Sequence, residues 1–256
     1  MIQIVIILGV FFMGCFYEIA GLKVNMNCSG RTAKQALPYI SDPVDRVDVT
    51  IPDDRLKRTC EAWKELDPST SDEMLEYMAT GALFYLYLLG FDGLMLHSSA
   101  VVVDGKAYLF TADPGTGKST HTSLWLQHFG DRAFILNDDK PAIRLEDGKW
   151  YAYGTPWSGK HDISRNCRAE LAGIAVLEQG KRNEIEPLNG VDAIFAIFSQ
   201  VNRTKLPDDR IKLMELLDKL ISTVPIWKLR CNMDPEAVTV SYNAMCKGYH
   251  PERNEL

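Results

Sequence analysis

Apolar residues recur along this chain with period two in some stretches and with helical period in others. Between these stretches lie polar segments with no clear period. Residues 17–26 read as a strand. Residues 28–70 are mixed and polar, broken by Pro38, Pro43, Pro52 and Pro68, with only 47–51 suggesting a short strand. Thr70 and Glu73 stand at capping-box spacing, so a helix is expected from there to about Leu89, stopped by Gly90. Two β-rich runs follow, Ser98–Val103 and Lys106–Thr111, joined by Asp104 and Gly105. Asp-Gly between apolar runs predicts a hairpin with a type I′ turn, because both central residues must take positive φ. A helix is expected over 119–129, closed by Gly130, and then a short apolar strand over 133–136 that ends at Asn137, Asp138 and Asp139. Asp147 and Gly148 predict a second hairpin between 142–145 and 150–153. Residues 154–166 read as a polar loop and 173–177 as a buried strand. Residues 192–200 and 208–222 read as helices, the latter with Leu213, Leu216, Leu217 and Leu220 on one face. A strand over 226–231 and a helix over 235–245, capped by Asp234, complete the pattern.

Hairpins surround one strand–loop–helix unit, so the pattern is not the strict alternation of a doubly wound sheet. It predicts an α/β fold with a mixed, largely antiparallel sheet and flanking helices. Residues 1–90 are expected to form an accessory region of strands plus a helix packed on the core, and 91–256 the main domain. The chain has 256 residues, 46% of them hydrophobic, enough for one large core with a small lobe. The net charge is −6 and no basic run of five or six residues occurs, which removes the electrostatic footprint of a nucleic-acid binder. The six cysteines form no Cys-x-x-Cys pair and no zinc spacing, so scattered reduced thiols in a cytoplasmic protein are expected. Residues 1–16 are almost wholly apolar, but no Lys or Arg precedes the run, and it is shorter than the roughly 20 residues of a membrane span. They read as a buried strand or an upstream extension. A membrane or secreted location is expected only if they act as a targeting segment. The apolar stretch 74–91 carries Glu76 and several tyrosines and reads as a buried helix.

The chemistry concentrates between strand and helix, at Ala112, Asp113, Pro114, Gly115, Thr116, Gly117, Lys118, Ser119 and Thr120. A phosphate cradle needs backbone N–H groups turned towards one point, which small residues with unusual φ/ψ allow. Gly115 and Gly117 supply this, Lys118 supplies a point charge, and the Ser119 hydroxyl can hold Mg²⁺. The pattern is G-x-x-x-x-G-K-[ST], with Ala112 in place of the first glycine. Asp138 and Asp139, at the end of an apolar strand, form the expected second half. One would hold Mg²⁺ and the other would take a proton from an attacking hydroxyl, and spacing alone does not say which.

Four further residues are candidates. His97 opens the hairpin that feeds the cradle, where an imidazole could help near phosphates. In the loop Gly154-Thr155-Pro156-Trp157-Ser158-Gly159-Lys160-His161, Trp157 could pack on a substrate ring and Lys160 could meet an anion. Arg203, after a helix, could face phosphate. His121, His128 and His250 read as helix-surface or tail residues.

His97 in an apolar strand, then a hairpin, then Ala112-x4-Gly-Lys-Ser, then Asn137-Asp138-Asp139 resembles the C-terminal catalytic domain of HPr kinase/phosphorylase over roughly residues 94–229. That family shares its core with phosphoenolpyruvate carboxykinase. The loop at 154–160 and the strand at 224–230 are similar to HPr-kinase-related bacterial proteins, some encoded near peptide-modification genes. The resemblance implies an ATP- and Mg²⁺-dependent serine kinase of the bacterial cytoplasm that could form homo-oligomers. It implies that Lys118 clamps phosphates, Ser119 meets Mg²⁺, Asp138 is the catalytic base, Asp139 is the metal-side carboxylate, and His97 lies close to the transferred phosphate. The family's HPr-docking segment is missing after the second hairpin, and the first ~90 residues differ from its N-terminal domain. A peptide, protein or small-molecule hydroxyl is therefore expected as acceptor rather than HPr. Two other classes compete. One is a nucleotide-binding regulator without transfer, against which the paired aspartates argue. The other is a carboxykinase-like lyase, which would need a second metal cluster.

Overall fold

The computed structural model describes residues 15–246 except 203 and 205, together with two short strands before them, β1 (Val5–Ile7) and β2 (Val10–Phe12), which pair antiparallel. Otherwise the question of what 1–14 do lies outside the described residues.

A hairpin of β3 (Cys15–Ile19) and β4 (Leu22–Met26) stands where one strand over 17–26 was expected. Ala20 and Gly21 turn it, both at positive φ (53° and 73°). Ala-Gly is a weak turn signal, because alanine enters the left-handed region at a steric cost. Next comes α1 (Gly30–Ala36). β5 (Val49–Ile51) then pairs parallel to β4 and completes a three-stranded sheet in the order β3-β4-β5. The polar stretch before Thr70 also holds α2 (Asp53–Leu66), a helix of 14 residues none of which is buried. Pro52 precedes its first turn, where Asp53 and Asp54 meet the positive end of the helix dipole. The next helix, α3 (Asp72–Leu88), is capped by Ser71, whose hydroxyl accepts from the Met74 amide at 3.3 Å. Thr70, expected as the cap, instead donates to Asp67 at 2.6 Å. By length and composition alone α3, extended to Phe91, could cross a membrane. Its Leu75, Tyr77, Leu83, Phe84, Tyr85 and Leu88 are buried within this protein.

The remaining strands are β6 (Gly93–Met95), β7 (Ser98–Val103), β8 (Lys106–Thr111), β9 (Ala133–Asn137), β10 (Ala142–Glu146), β11 (Lys149–Tyr153), β12 (Arg168–Gln179), β13 (Glu184–Pro187) and β14 (Ile226–Cys231). The helices are α4 (Lys118–Phe129), α5 (Gly190–Phe198), α6 (Pro207–Thr223) and α7 (Glu236–Cys246). The sheet runs β6-β10-β11-β12-β8-β7-β9, with β14 joined to β12 and β13 to β14. Only β8 on β12 and β12 on β14 are parallel pairs in this sheet, so it is mixed and largely antiparallel. The sheet forks at β12. Its first residues pair with β11 and its last six with β14, while β8 runs along the other edge. That double duty explains a strand of 12 residues where five were expected. Both Asp-Gly hairpins form, with Asp104, Gly105, Asp147 and Gly148 all at positive φ.

The chain is thus a mixed α/β protein, with seven α-helices among the described residues around its sheets. One face of the large sheet packs on α5 and α6 through Ile197, Leu213, Leu216, Leu217 and Leu220. The other face packs on α4 and α7 through Trp125, Phe129, Val238 and Met245. A third cluster joins the small sheet and α3 to Ala142, Tyr153 and Trp157 of the main sheet and its loops. His121, expected on the surface of α4, is buried, where its Nε2 accepts from Trp125 Nε1 at 3.0 Å. Burial depresses its pKa to about 4.

Candidate active site

β8 delivers the chain to a loop, and α4 begins at Lys118 beyond it. Gly115 and Gly117 have φ of 82° and 118°. A Cβ at either would meet nothing within 4 Å, so it is the left-handed backbone and not crowding that demands glycine there. Lys118 is buried and its Nζ donates to the Ala112 carbonyl at 2.9 Å, folded back across the loop. Burial pushes its ammonium pKa down, while Asp139, Asp113 and Asp138 pull it back up.

The carboxylate turn reaches the same place by sheet pairing. β9 lies beside β7 and β7 beside β8, so the end of β9 stands next to the start of β7 and the glycine-containing loop after β8. The Ser98 amide donates to the Asp139 carbonyl at 3.1 Å. Asp138 is buried, and the Ser99 hydroxyl donates to its Oδ1 at 2.6 Å. Ser99 Oγ also stands 2.9 Å from Thr122 Oγ1 on α4. His97 Nε2 lies 3.2 Å from Asp139 Oδ1, and its Nδ1 lies 3.1 Å from Gln200 Oε1. Lys140 pairs with the other Asp139 oxygen. Burial would raise the Asp139 pKa, but the bonds from His97 and Lys140 outweigh it and bring it down to about 2.

Asn137 fixes this turn, although the sequence offers it only as part of the Asn137-Asp138-Asp139 motif, with no role of its own. It is fully buried. Its Oδ1 accepts the amides of Asp139 at 3.0 Å and Lys140 at 2.7 Å, while its Nδ2 donates to the Thr155 carbonyl at 3.1 Å. One amide side chain thereby ties the carboxylates to the loop after β11. A polar residue closing an apolar strand is the signal that could have found it, since a buried amide must find partners.

That loop packs against the aspartates. Gly159 has φ 72°, and a Cβ there would lie 2.7 Å from Asp139 Cβ. The Gly159 amide donates to Tyr77 Oη at 3.1 Å. Lys160 is exposed and lines the site, as does His161, which was not singled out as a site residue. Trp157, expected to pack on a substrate ring, does not line this cavity. Its ring is buried between Phe84, stacked at 5.1 Å, and Tyr85, edge-on at 5.5 Å, and its Nε1 donates to Thr80 at 3.2 Å. The apolar bulk of an indole wins over contact with water in a loop that docks on α3. Arg203 lies outside the described residues.

One cavity of about 430 Å³ unites these parts. Pro114, Gly115, Gly117, Lys118, Ser119 and Thr120 form one wall, and His97, Asp138, Asp139, Gly159, Lys160 and His161 the other. Asp113 and Thr116 face a second cleft of about 580 Å³ on the far side of the loop, beside Gln179 and Gln200. Among the described residues, no group of three or more His, Cys, Asp or Glu side chains is placed to hold a metal unaided. The set Ser119, Asp138 and Asp139 suits Mg²⁺, which takes one or two carboxylates and completes its shell with phosphate and water.

No protein-family model and no curated protein matches the chain. A solved structure of the Hpr(Ser) kinase/phosphatase from Coxiella burnetii aligns with 60% of this chain and 97% of its own, at 15% identity and a TM-score of 0.36. That is a distant likeness, and the chemistry of the site rests on its own geometry.

Proposed function

We propose that this protein is an ATP-dependent, Mg²⁺-assisted phosphotransferase acting on a serine-type hydroxyl. The observation that carries this reading is the single cavity, where a glycine cradle with a buried lysine faces two aspartates across about 430 Å³. A binding site alone would need no buried carboxylate opposite the cradle. In this reading the amides of the Gly115–Ser119 stretch and Lys118 hold the phosphates, and Asp113, Pro114, Thr116 and Thr120 shape the cradle. Ser119 and Asp139 would hold Mg²⁺, which when bound neutralises charge on the phosphates. His97 and Lys140 keep Asp139 ionised and aimed. Ser99 holds Oδ1 of Asp138, and Oδ2 takes the proton of the acceptor hydroxyl. The acceptor oxygen bonds the γ-phosphorus as the bond to the β,γ-bridging oxygen breaks, and ADP leaves. Positioning and charge do most of the work. Lys160 is the contact offered to an acceptor or to the γ-phosphate. Residues 1–90 act as an accessory region beside a catalytic domain at 91–256, and the acceptor is a peptide, protein or small molecule.

The test is incubation with γ-labelled ATP and pooled serine-containing peptides, followed by identification of the labelled species. Label on a hydroxyl, abolished in Lys118→Ala, is the expected result. Equal labelling by Lys118→Ala, or none by the wild type in any acceptor pool, would contradict the proposal.

A further inference from the structure

A third cavity, of about 300 Å³, lies behind the carboxylate turn, between α2 and α3 on one side and the main sheet on the other. Trp63, Tyr77, Tyr85 and Trp157 give it four aromatic walls. Small Gly81 and Ala82 of α3 complete the wall, and Gly81 lets the Trp157 ring pack close, since a Cβ there would lie 2.9 Å from that ring. Met78, 41% exposed, stands at the rim, where a flexible thioether suits a mouth that must admit a guest. Among the described residues the only charged one in the wall is Lys140, and it is paired with Asp139. Such a lining favours a neutral aromatic or large apolar group over an ion.

Two of the walls also hold the catalytic cavity in shape. Lys140 pairs with Asp139, and Tyr77 Oη accepts the Gly159 amide, and both Asp139 and Gly159 line the neighbouring cavity. We infer that this pocket binds an aromatic side chain of the phosphoacceptor, so that binding energy gained away from the hydroxyl steadies the groups around it. The inference rests on the transferase reading and narrows its acceptor to a peptide or protein with an aromatic residue near the phosphorylated hydroxyl.

Indole is the probe, detected by saturation-transfer NMR on the full chain. Binding to the wild type is expected, with a loss of 10-fold or more in Ala82→Leu, which fills the pocket. Nucleotide binding should be unchanged in that variant. Its KM for a labelled peptide acceptor should rise with kcat nearly kept, and labelled peptides should be enriched in aromatic neighbours. If Ala82→Leu does not fold, Met78→Trp at the exposed rim replaces it, with the same expectation. Indole binding equal in wild type and a folded filled variant, or labelled acceptors without aromatic enrichment, overturns the pocket assignment while the transferase reading stands. Indole binding with no phosphoryl transfer to any acceptor overturns the transferase reading, and the acceptor role with it.

Discussion

At the scale of single residues, the site depends on a few side chains that hold others. Asn137 is the clearest. Truncating it strands the amides of Asp139 and Lys140 and the Thr155 carbonyl in a buried place. Asn137→Ala should therefore cost about 2–3 kcal/mol of stability by denaturant titration, and should slow transfer as well. Gly159→Ala is the second case. Left-handed φ alone costs about 1–2 kcal/mol, and the added methyl must push Asp139 aside. A lower Tm together with reduced transfer is expected, and a variant with wild-type values of both would show that the loop can yield. The sequence proposes Lys118, Asp138 and Asp139 from motif spacing and His97 mainly from the family resemblance, and the fold brings all four to one cavity. The sequence assigns Asn137 and Gly159 no role, because Asn137 reaches Thr155 and Gly159 packs on Asp139 only once the fold brings the loop after β11 to this turn. Trp157 was misjudged for the same reason: its partners, Phe84 and Tyr85, belong to a helix some seventy residues earlier.

At the scale of elements, legibility followed burial and turn chemistry. The two Asp-Gly hairpins were plain, since residue type and required φ agree at both. α2 was hidden because it buries no residue, and its apolar positions Leu56, Cys60 and Trp63, though at helical spacing, stand among many charged ones. β13 was hidden because it is a four-residue strand, Glu-Ile-Glu-Pro, paired only to β14. The start of α3 was misplaced by one residue, since Ser71 and Thr70 are both plausible caps and only the fold chooses between them. Ser71→Ala should lower stability by about 1 kcal/mol in a denaturant titration. An unchanged midpoint would mean that the cap contributes nothing there.

At the scale of the whole molecule, buried His121 and partly buried Asp139 each make stability depend on pH. His121 has a folded pKa of about 4 against an ordinary 6.5, because burial disfavours its charged form. The unfolded chain therefore takes up that proton first as pH falls. The His121 contribution is complete above about pH 6.5 and is lost as pH drops towards 4, by an amount on the order of 3 kcal/mol. Asp139 titrates lower, from an ordinary 3.8 to about 2, so its contribution is present above 3.8 and lost on the way to 2. His121→Gln keeps an acceptor for Trp125 and should flatten the upper window while leaving the lower one. A slope between pH 6.5 and 4 that survives this substitution would assign it to other groups.

The central claim is that the cradle and the aspartates act together on one phosphate. Its most direct test compares Asp138→Asn with the wild type for both nucleotide binding and the rate of labelled phosphate transfer. Unchanged nucleotide affinity with transfer slowed by about 100-fold or more is the expected pair of results, as for loss of a general base. Transfer at the wild-type rate in Asp138→Asn would contradict it.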